Sequence, residues 1–233
     1  MPVIAGLPAH FFSQHLDNDI NIRYNIYIKV SEGDDYMENE VKLKMISDNN
    51  GGIISTNNAS ESGISRMMLL NLCKNGIIVH IAHGQYILAN EIQDEMLSVS
   101  MRSKNIIFSH ETALFLHGIS DRTPFEHTIT YPSGKVPSPA LRDVCKIYFV
   151  KPELFDMGKT ELTTPMGNQV IGYDLERTIC DIVRSRNKVG TETFHAAMKM
   201  YVKRKDKDFN KLYLYAKELR VQKIINNYLE VLL

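Results

Sequence analysis

No apolar run in these 233 residues approaches the roughly 18 needed to cross a bilayer, which excludes a membrane-spanning helix. A secretory signal is not legible either. The N-terminus lacks a basic start and a clean apolar core, and Pro2 and Pro8 interrupt it. Cysteine is scarce. Cys73, Cys145 and Cys180 are odd in number, scattered and set in apolar patterns, so they read as reduced core thiols of a cytoplasmic protein. No pair of them has zinc-ligand spacing. Charge of one sign is also lacking, since 27 Lys and Arg balance 27 Asp and Glu. Non-specific affinity for nucleic acid comes mainly from cations on phosphates, so this balance argues against a uniformly basic binder. Internal repeats and low-complexity tracts are absent. What remains is 44% hydrophobic and 23% charged residues, the composition of a soluble globular protein, in a chain long enough for two cores.

The segment Gly51 to Leu88, GGIISTNNASESGISRMMLLNLCKNGIIVHIAHGQYIL, carries the strongest local pattern. Ser55 or Thr56 caps a short helix running through Ser62, because a hydroxyl there accepts an otherwise orphaned backbone N–H. Gly63 supplies the unusual backbone angle of a sharp inter-helix turn. Ser65 caps a second helix, and Gly76 sits where helices most often stop. Ile77 to Ala82 and Gln85 to Leu88 are β-rich and flank His83-Gly84. Two-residue hairpin loops favour glycine, and histidine tolerates positive φ. Two helices around a glycine turn followed by a hairpin make a winged helix-turn-helix, whose usual partner is duplex DNA.

In that arrangement the second helix enters the major groove, N-terminal residues first. Ile64, Leu69, Leu72 and Cys73 face the domain core. Ser65, Arg66, Met67, Leu70, Asn71 and Lys74 occupy the outer face. Arg66 suits base readout, since a guanidinium bonds both guanine acceptors at once; Asn71 pairs similarly with adenine, and Lys74 is placed for a phosphate. Thr56, Asn57 and Asn58 open the preceding helix, where backbone amides and short polar side chains hold phosphate. His80, His83 and Gln85 lie in the wing, within reach of the minor groove or backbone.

Around this segment the pattern predicts three regions: an N-terminal extension of uncertain role (1–36), the winged helix-turn-helix (37–90) and a mixed α/β domain (91–233). Ile20 to Val30 alternates like a strand. Residues 1–36 read either as an arm against a neighbouring domain or subunit, or as an upstream extension with Met37 as the true start. From Met37 the pattern is helical, with Val41, Leu43 or Lys44, Met45 and Ile46 as its apolar face. Beyond Asn90, Glu91 to Arg102 is helical and Ser109 opens the helix HETALFLH, stopped by Gly118. His127 to Tyr131 and Cys145 to Val150 are strands, with loop between them. Lys159 to Thr164 and Gln169 to Tyr173 form a hairpin. Four helices follow: Asp174 to Arg186, Thr191 to Lys203, Asp208 to Leu219 and Val221 to Leu232. The fold class is α+β, a small mixed sheet with helices packed on one face.

The candidate chemistry in the second domain is sparse. His110 and His117 are seven apart, whereas a zinc helix needs two histidines four apart, so no metal site is read. Asp174, Arg177, Asp181 and Arg184 recur at helical spacing; they bond one another along a helix surface, or they form a cluster for a nuclease or phosphotransfer site in which Asp181 or Glu176 acts. With no glycine-rich phosphate loop and no second acidic motif, no residue is assigned a catalytic role and no cofactor is expected. The C-terminal helices are basic. Between Arg184 and Lys223 stand twelve Lys and Arg against four acids. Lys199, Lys203, Arg204, Lys205, Lys207 and Lys211 are the candidates there for contact with phosphate or a protein partner, against the plainer reading of a solvated charged face.

The winged helix followed by SHETALFLHGISDRTP, then TPMGNQVIGYDLERTICDIVRSR and the terminal YAKELRV, resembles the AbiE-type antitoxins, named for abortive phage infection, from Met37 to the C-terminus. The resemblance implies an antitoxin of a bicistronic system whose partner is a nucleotidyltransferase-like toxin. It implies that the winged helix represses the system's own promoter at inverted repeats; because inverted repeats mirror a two-fold protein, a homodimer on DNA is the accompanying expectation. It further implies that the C-terminal domain neutralises the toxin and assists DNA binding. A stand-alone winged-helix transcription factor, or a nucleic-acid-processing enzyme with the winged helix as its delivery module, are the alternatives.

Overall fold

The computed structural model describes residues 34–232. The strand expected at Ile20–Val30 and both readings of the N-terminal extension lie outside the described residues, although helix α1 (Asp34–Asn49) already begins three residues before Met37. The chain divides into one unit running to Ala89 and a second comprising Gly51–Ile53 with Asn90–Leu233.

In the first unit, α1 is followed by β1 (Ile54–Ser55), α2 (Thr56–Glu61), α3 (Arg66–Lys74), β2 (Ile78–Ala82) and β3 (Gln85–Leu88). Ser55 caps α2, its hydroxyl accepting the Asn58 N–H, and Ser65 caps α3 by accepting the Met68 N–H. Each hydroxyl replaces water on a donor that has no partner within its own helix. Gly63, between the helices, has φ 82°. β2 and β3 pair as the expected hairpin, and β1 adds a third antiparallel strand on the far side of β3. Only Gly84 takes positive φ at the tip; His83 does not, and the register instead shifts between His80 and Ala82.

Leu43, Ile46, Ile54, Ala59, Ile64, Leu69, Leu72, Ile78 and Leu88 form one core. The apolar face expected of α1 needs correction. Leu43, Ile46 and Ser47 are buried, but Val41 is 52% and Met45 60% exposed. The helix keeps a narrow stripe inward, and the adjoining apolar side chains fall beyond its edge.

The second unit contains α4 (Glu95–Ser100), β4 (Ile107–Phe108), α5 (His110–Leu116), β5 (His127–Pro132), α6 (Pro139–Arg142) and β6 (Cys145–Val150). After a 3-10 turn at Pro152–Leu154 come β7 (Lys159–Thr163), β8 (Gln169–Tyr173), α7 (Leu175–Arg184), α8 (Thr191–Lys203), α9 (Phe209–Glu218) and α10 (Gln222–Leu232). Its sheet is mixed, in the order β6-β5-β4-β8-β7, with β5 parallel to β6, β4 parallel to β8 and the other neighbours antiparallel. The expectation of helices on one face only is not met. Phe108, Ile129, Tyr131, Cys145 and Val170 pack with Met96 and Val99 of α4 and with Leu141 of α6. The opposite face, with Ile107, Val150 and Tyr173, packs on Phe155 and meets the Arg177 guanidinium, 4.0 Å over the Tyr173 ring.

Helix α7 is central: Leu175 through Val183 are all buried, and its apolar residues join those of α8, α9 and α10 in the largest core. The surface ladder of charges expected there is therefore overturned. Arg177 is 0% exposed. Its Nε donates to Asp181 Oδ2 at 3.1 Å, and its Nη1 to the carbonyls of Leu154 (2.8 Å) and Met157 (2.6 Å). Asp174 caps the helix, and its Oδ2 accepts from Lys211 Nζ (2.9 Å) and the Tyr215 hydroxyl (3.0 Å). Buried charges are tolerated when paired and bonded in this way, and they orient the pieces they join.

Candidate nucleic-acid interface

The first unit presents α3 by burying one side of it. Leu69 and Leu72 turn into the core and Cys73 packs against it, while Ser65, Arg66, Met67, Leu70 and Lys74 are exposed and Asn71 is half-buried beside them. That division follows from the 3.6-residue period of the helix. Arg66 and Lys74 make no ion pair among the described residues, whereas Lys42 pairs with Glu38 at 2.8 Å and Lys44 with Asp48 at 2.6 Å along α1. The outer face of α3 thus carries two uncompensated cations, one in its first turn and one in its last, with an amide between them. Met67 and Leu70 add an exposed apolar strip to the same face.

At the start of α2 the three polar residues are not equivalent. The Thr56 hydroxyl donates to the Gly84 carbonyl at 3.0 Å, and Asn58 Nδ2 donates to Asn50 Oδ1 at 2.9 Å. Both side chains are engaged in holding the unit together. Asn57 alone is exposed without such a bond among the described residues.

The wing requires a further correction. The sequence pattern points Gln85 outward, but it is 5% exposed, because β3 is the middle strand of the sheet and its first residue turns inward. His83 at the hairpin tip is exposed, and so is His80, whose ring packs edge-on against Tyr86 at 5.2 Å.

The basic residues of the second unit also separate into two groups. Arg204 forks onto Asp206 (2.8 and 2.6 Å) and donates to the His117 carbonyl at 2.8 Å. Lys207 Nζ donates to the Arg204 carbonyl at 2.7 Å, and Lys211 is paired with Asp174. These three fasten the α8–α9 connection and the start of α7. Lys199, Lys203 and Lys205 are exposed with no acidic partner among the described residues. No group of three or more His, Cys, Asp or Glu side chains is gathered for a metal ion among the described residues. No described helix is long and apolar enough to cross a membrane.

A capped two-helix turn with its second helix turned outward, followed by a strand hairpin, is the geometry of a DNA-reading winged helix. Residues 42–89 match the AbiEi antitoxin family of transcriptional regulators. The AbiEi match covers the last two turns of α1 and everything through the wing, and it agrees with the resemblance drawn from the sequence. The family is described as one of antitoxins that regulate transcription, and the matched unit here has the fold such a regulator needs. Among curated proteins none matches the chain. The crystal structure of the RV2827C protein from Mycobacterium tuberculosis is similar in fold, with a TM-score of 0.58 and 14% identity over 80% of this chain and 75% of that one.

Proposed function

We propose that this protein is the antitoxin and autorepressor of a bicistronic toxin–antitoxin pair. Its winged helix reads inverted repeats in the pair's own promoter, and residues 91–233 counteract a nucleotidyltransferase-like toxin. The observation that carries the reading is the outward face of α3, Arg66, Asn71 and Lys74, on a unit that matches the AbiEi regulators. Arg66 is the base-reading residue, Asn71 its neighbour toward adenine, and Lys74 a phosphate contact. Ser65, through its cap, and Thr56, through its bond to the wing, hold those residues in place. Asn57 and His83 are the remaining contacts to the DNA backbone. A protein of this kind reads a two-fold operator as a homodimer, because inverted repeats mirror two-fold protein symmetry. Lys199, Lys203 and Lys205 are exposed cations of the second unit suited to phosphate or an acidic toxin surface. Function requires no catalysis by this chain and places it in the cytoplasm with its promoter.

The deciding experiment is rescue. Cells expressing the adjacent gene are growth-arrested, and co-expression of this chain restores growth. Failure of the full-length protein to rescue sinks the antitoxin half. A stand-alone regulator is then the better reading, favoured by the restriction of the family match to the winged helix, provided that the protein still shifts its own promoter fragment.

A further inference from the structure

We propose that the second unit binds a small phosphate ester with a hydroxylated, ribose-like body, in a cavity of about 440 Å³ beside β6 and the C-terminal turn of α7. This goes beyond promoter reading and toxin control, and does not depend on either.

The walls of the cavity are charged and pre-set. Lys146, Arg184 and Lys188 line it, together with the Asp181 carboxylate and the stacked pair of His110 and Tyr148. Two of the charges are already answered: Lys146 Nζ lies 3.2 Å from Glu111 Oε1, and Asp181 accepts the Arg177 Nε–H. Arg184 and Lys188 have no acidic partner among the described residues. The C-terminus of α7 contributes about half a negative charge at this end, which two uncompensated cations outweigh. The excess is felt nearby. His110 is held well below its ordinary pKa, first by burial and then by Lys146, Arg177, Arg184 and Lys188. Of the four cations around this ring, Lys146 and Arg177 are paired with Glu111 and Asp181, and Arg184 and Lys188 are left without an anion among the described residues.

The His110 wall is also rigid. Its ring is stacked on Tyr148 with centroids 3.5 Å apart, and its nitrogens bond the Ser109 hydroxyl at 2.9 Å and the Ser185 hydroxyl at 3.0 Å. These contacts hold the backbone at φ 47°, a conformation few non-glycine residues adopt. Strain maintained by surrounding contacts is common where a ligand surface is preformed.

Two features select the ligand. An arginine fork and a lysine point charge recognise phosphate oxygens. Inorganic phosphate alone would leave most of the space empty, since cavities of roughly 300–1,000 Å³ accommodate whole small molecules. The rest of the lining includes Asp181, Ser185 and Asn187, which suit hydroxyl groups; an acidic side chain on ribose hydroxyls is a recurrent pairing. A nucleotide and a sugar phosphate share this chemistry.

The test is isothermal titration calorimetry of the full chain with AMP, ribose 5-phosphate, adenosine and inorganic phosphate. At least one of the two esters should bind saturably at millimolar concentration or below, and more tightly than adenosine or phosphate. Arg184→Ala and Lys188→Ala, both exposed positions, should each weaken that binding at least tenfold, with Lys199→Ala as the unaffected control. AMP exceeding ribose 5-phosphate identifies a nucleotide, and equality identifies a sugar phosphate; either upholds the site. No ester binding, adenosine or phosphate binding as tightly as the esters, or indifference to Arg184→Ala overturns it.

Discussion

The carbonyl oxygen of Gly84 accepts two hydrogen bonds from Thr56, one from its backbone N–H at 2.8 Å and one from its hydroxyl at 3.0 Å. The tip of the wing is thereby fastened to the first residue of α2, across 28 positions of sequence. The distance between wing and helices decides whether both can meet one DNA duplex, so this bond links local folding to function.

Thr56→Val should therefore act on stability, costing about 1 kcal/mol for one lost hydrogen bond. Gly84→Ala should cost more, about 1–2 kcal/mol for a side chain in the left-handed region. Its φ is 69°, and a Cβ there would lie 2.8 Å from Thr56 Oγ1. Urea denaturation followed by circular dichroism measures both. A Thr56→Val variant of unchanged stability but weakened promoter binding would return the hydroxyl to phosphate contact.

On DNA, Arg66→Ala should lose about 1–3 kcal/mol and relax discrimination at one base pair. Lys74→Ala should weaken all sequences alike and reduce the salt slope by about one. Gln85→Ala should leave both quantities unchanged at temperatures where the unit stays folded, because its side chain is buried. Fluorescence anisotropy on specific and scrambled promoter fragments, at several salt concentrations, separates the three. If Arg66→Ala and Lys74→Ala both bind like the parent, α3 is not the recognition helix.

Inside the second unit, removing Arg177 should be among the most damaging single changes. Arg177→Ala strips Asp181 of its partner and leaves the carbonyls of Leu154 and Met157 without their donor. Breaking a buried pair from one side typically costs about 3–5 kcal/mol. Arg177→Lys should rescue little, since one ammonium cannot reproduce a planar fork reaching three acceptors. Arg177→Met combined with Asp181→Leu should recover part of the loss, read as thermal midpoints. A single variant that melts with the parent would show that the pair contributes nothing.

These residues also mark how far the sequence could be read. The outer face of α3 was legible because one helical period assigns every position from Ser65 to Lys74. Gly63 and Gly84 were legible because few other residues suit their backbone angles. The inward turn of Gln85 was not, since it depends on β1, a two-residue strand too short to show any period, which makes β3 the central strand. Arg177 and Asp181 stand four apart, as surface pairs do. What makes them buried are carbonyls 20 and 23 residues upstream, which no local pattern reports. The cavity beside β6 was out of reach for the same reason: Lys146, Asp181 and Lys188 are joined only by the fold.

Thiol reactivity should follow burial. Cys145 is pushed by burial up to about 11, and Cys180 further still, while Cys73 is raised but partly exposed. The thiolate is the reactive form, so Cys73 should be alkylated first at pH 8 and the other two only after unfolding. Peptide mapping after timed iodoacetamide treatment reads the order. Labelling of Cys180 ahead of Cys73 would contradict its place in the core.

The acid side of the stability profile should be set by buried histidines. His110, His117 and His127 all have pKa values lowered from 6.5, with burial the largest cause in each. Their surroundings differ. Four cations face His110, whereas the Tyr173 carbonyl opposes the shift at His117 and Glu95 opposes it at His127. A histidine lowered in the folded state takes its proton first in the unfolded chain. Stability is thus fully present above the unfolded value and falls as pH drops through 6.5 toward the folded value. The slope reaches about 1.4 kcal/mol per pH unit for each histidine in that window. Burial pushes the Asp181 carboxyl up, which acts with the opposite sign, so the informative quantity is a difference between variants. Urea midpoints at pH 7.5 and 5.5 should converge between parent and His110→Asn as pH falls, because a neutral amide in place of the imidazole takes up no proton. Parallel profiles for the two proteins would mean that His110 takes up its proton as readily in the folded as in the unfolded chain, and that neither burial nor the surrounding cations lower its pKa.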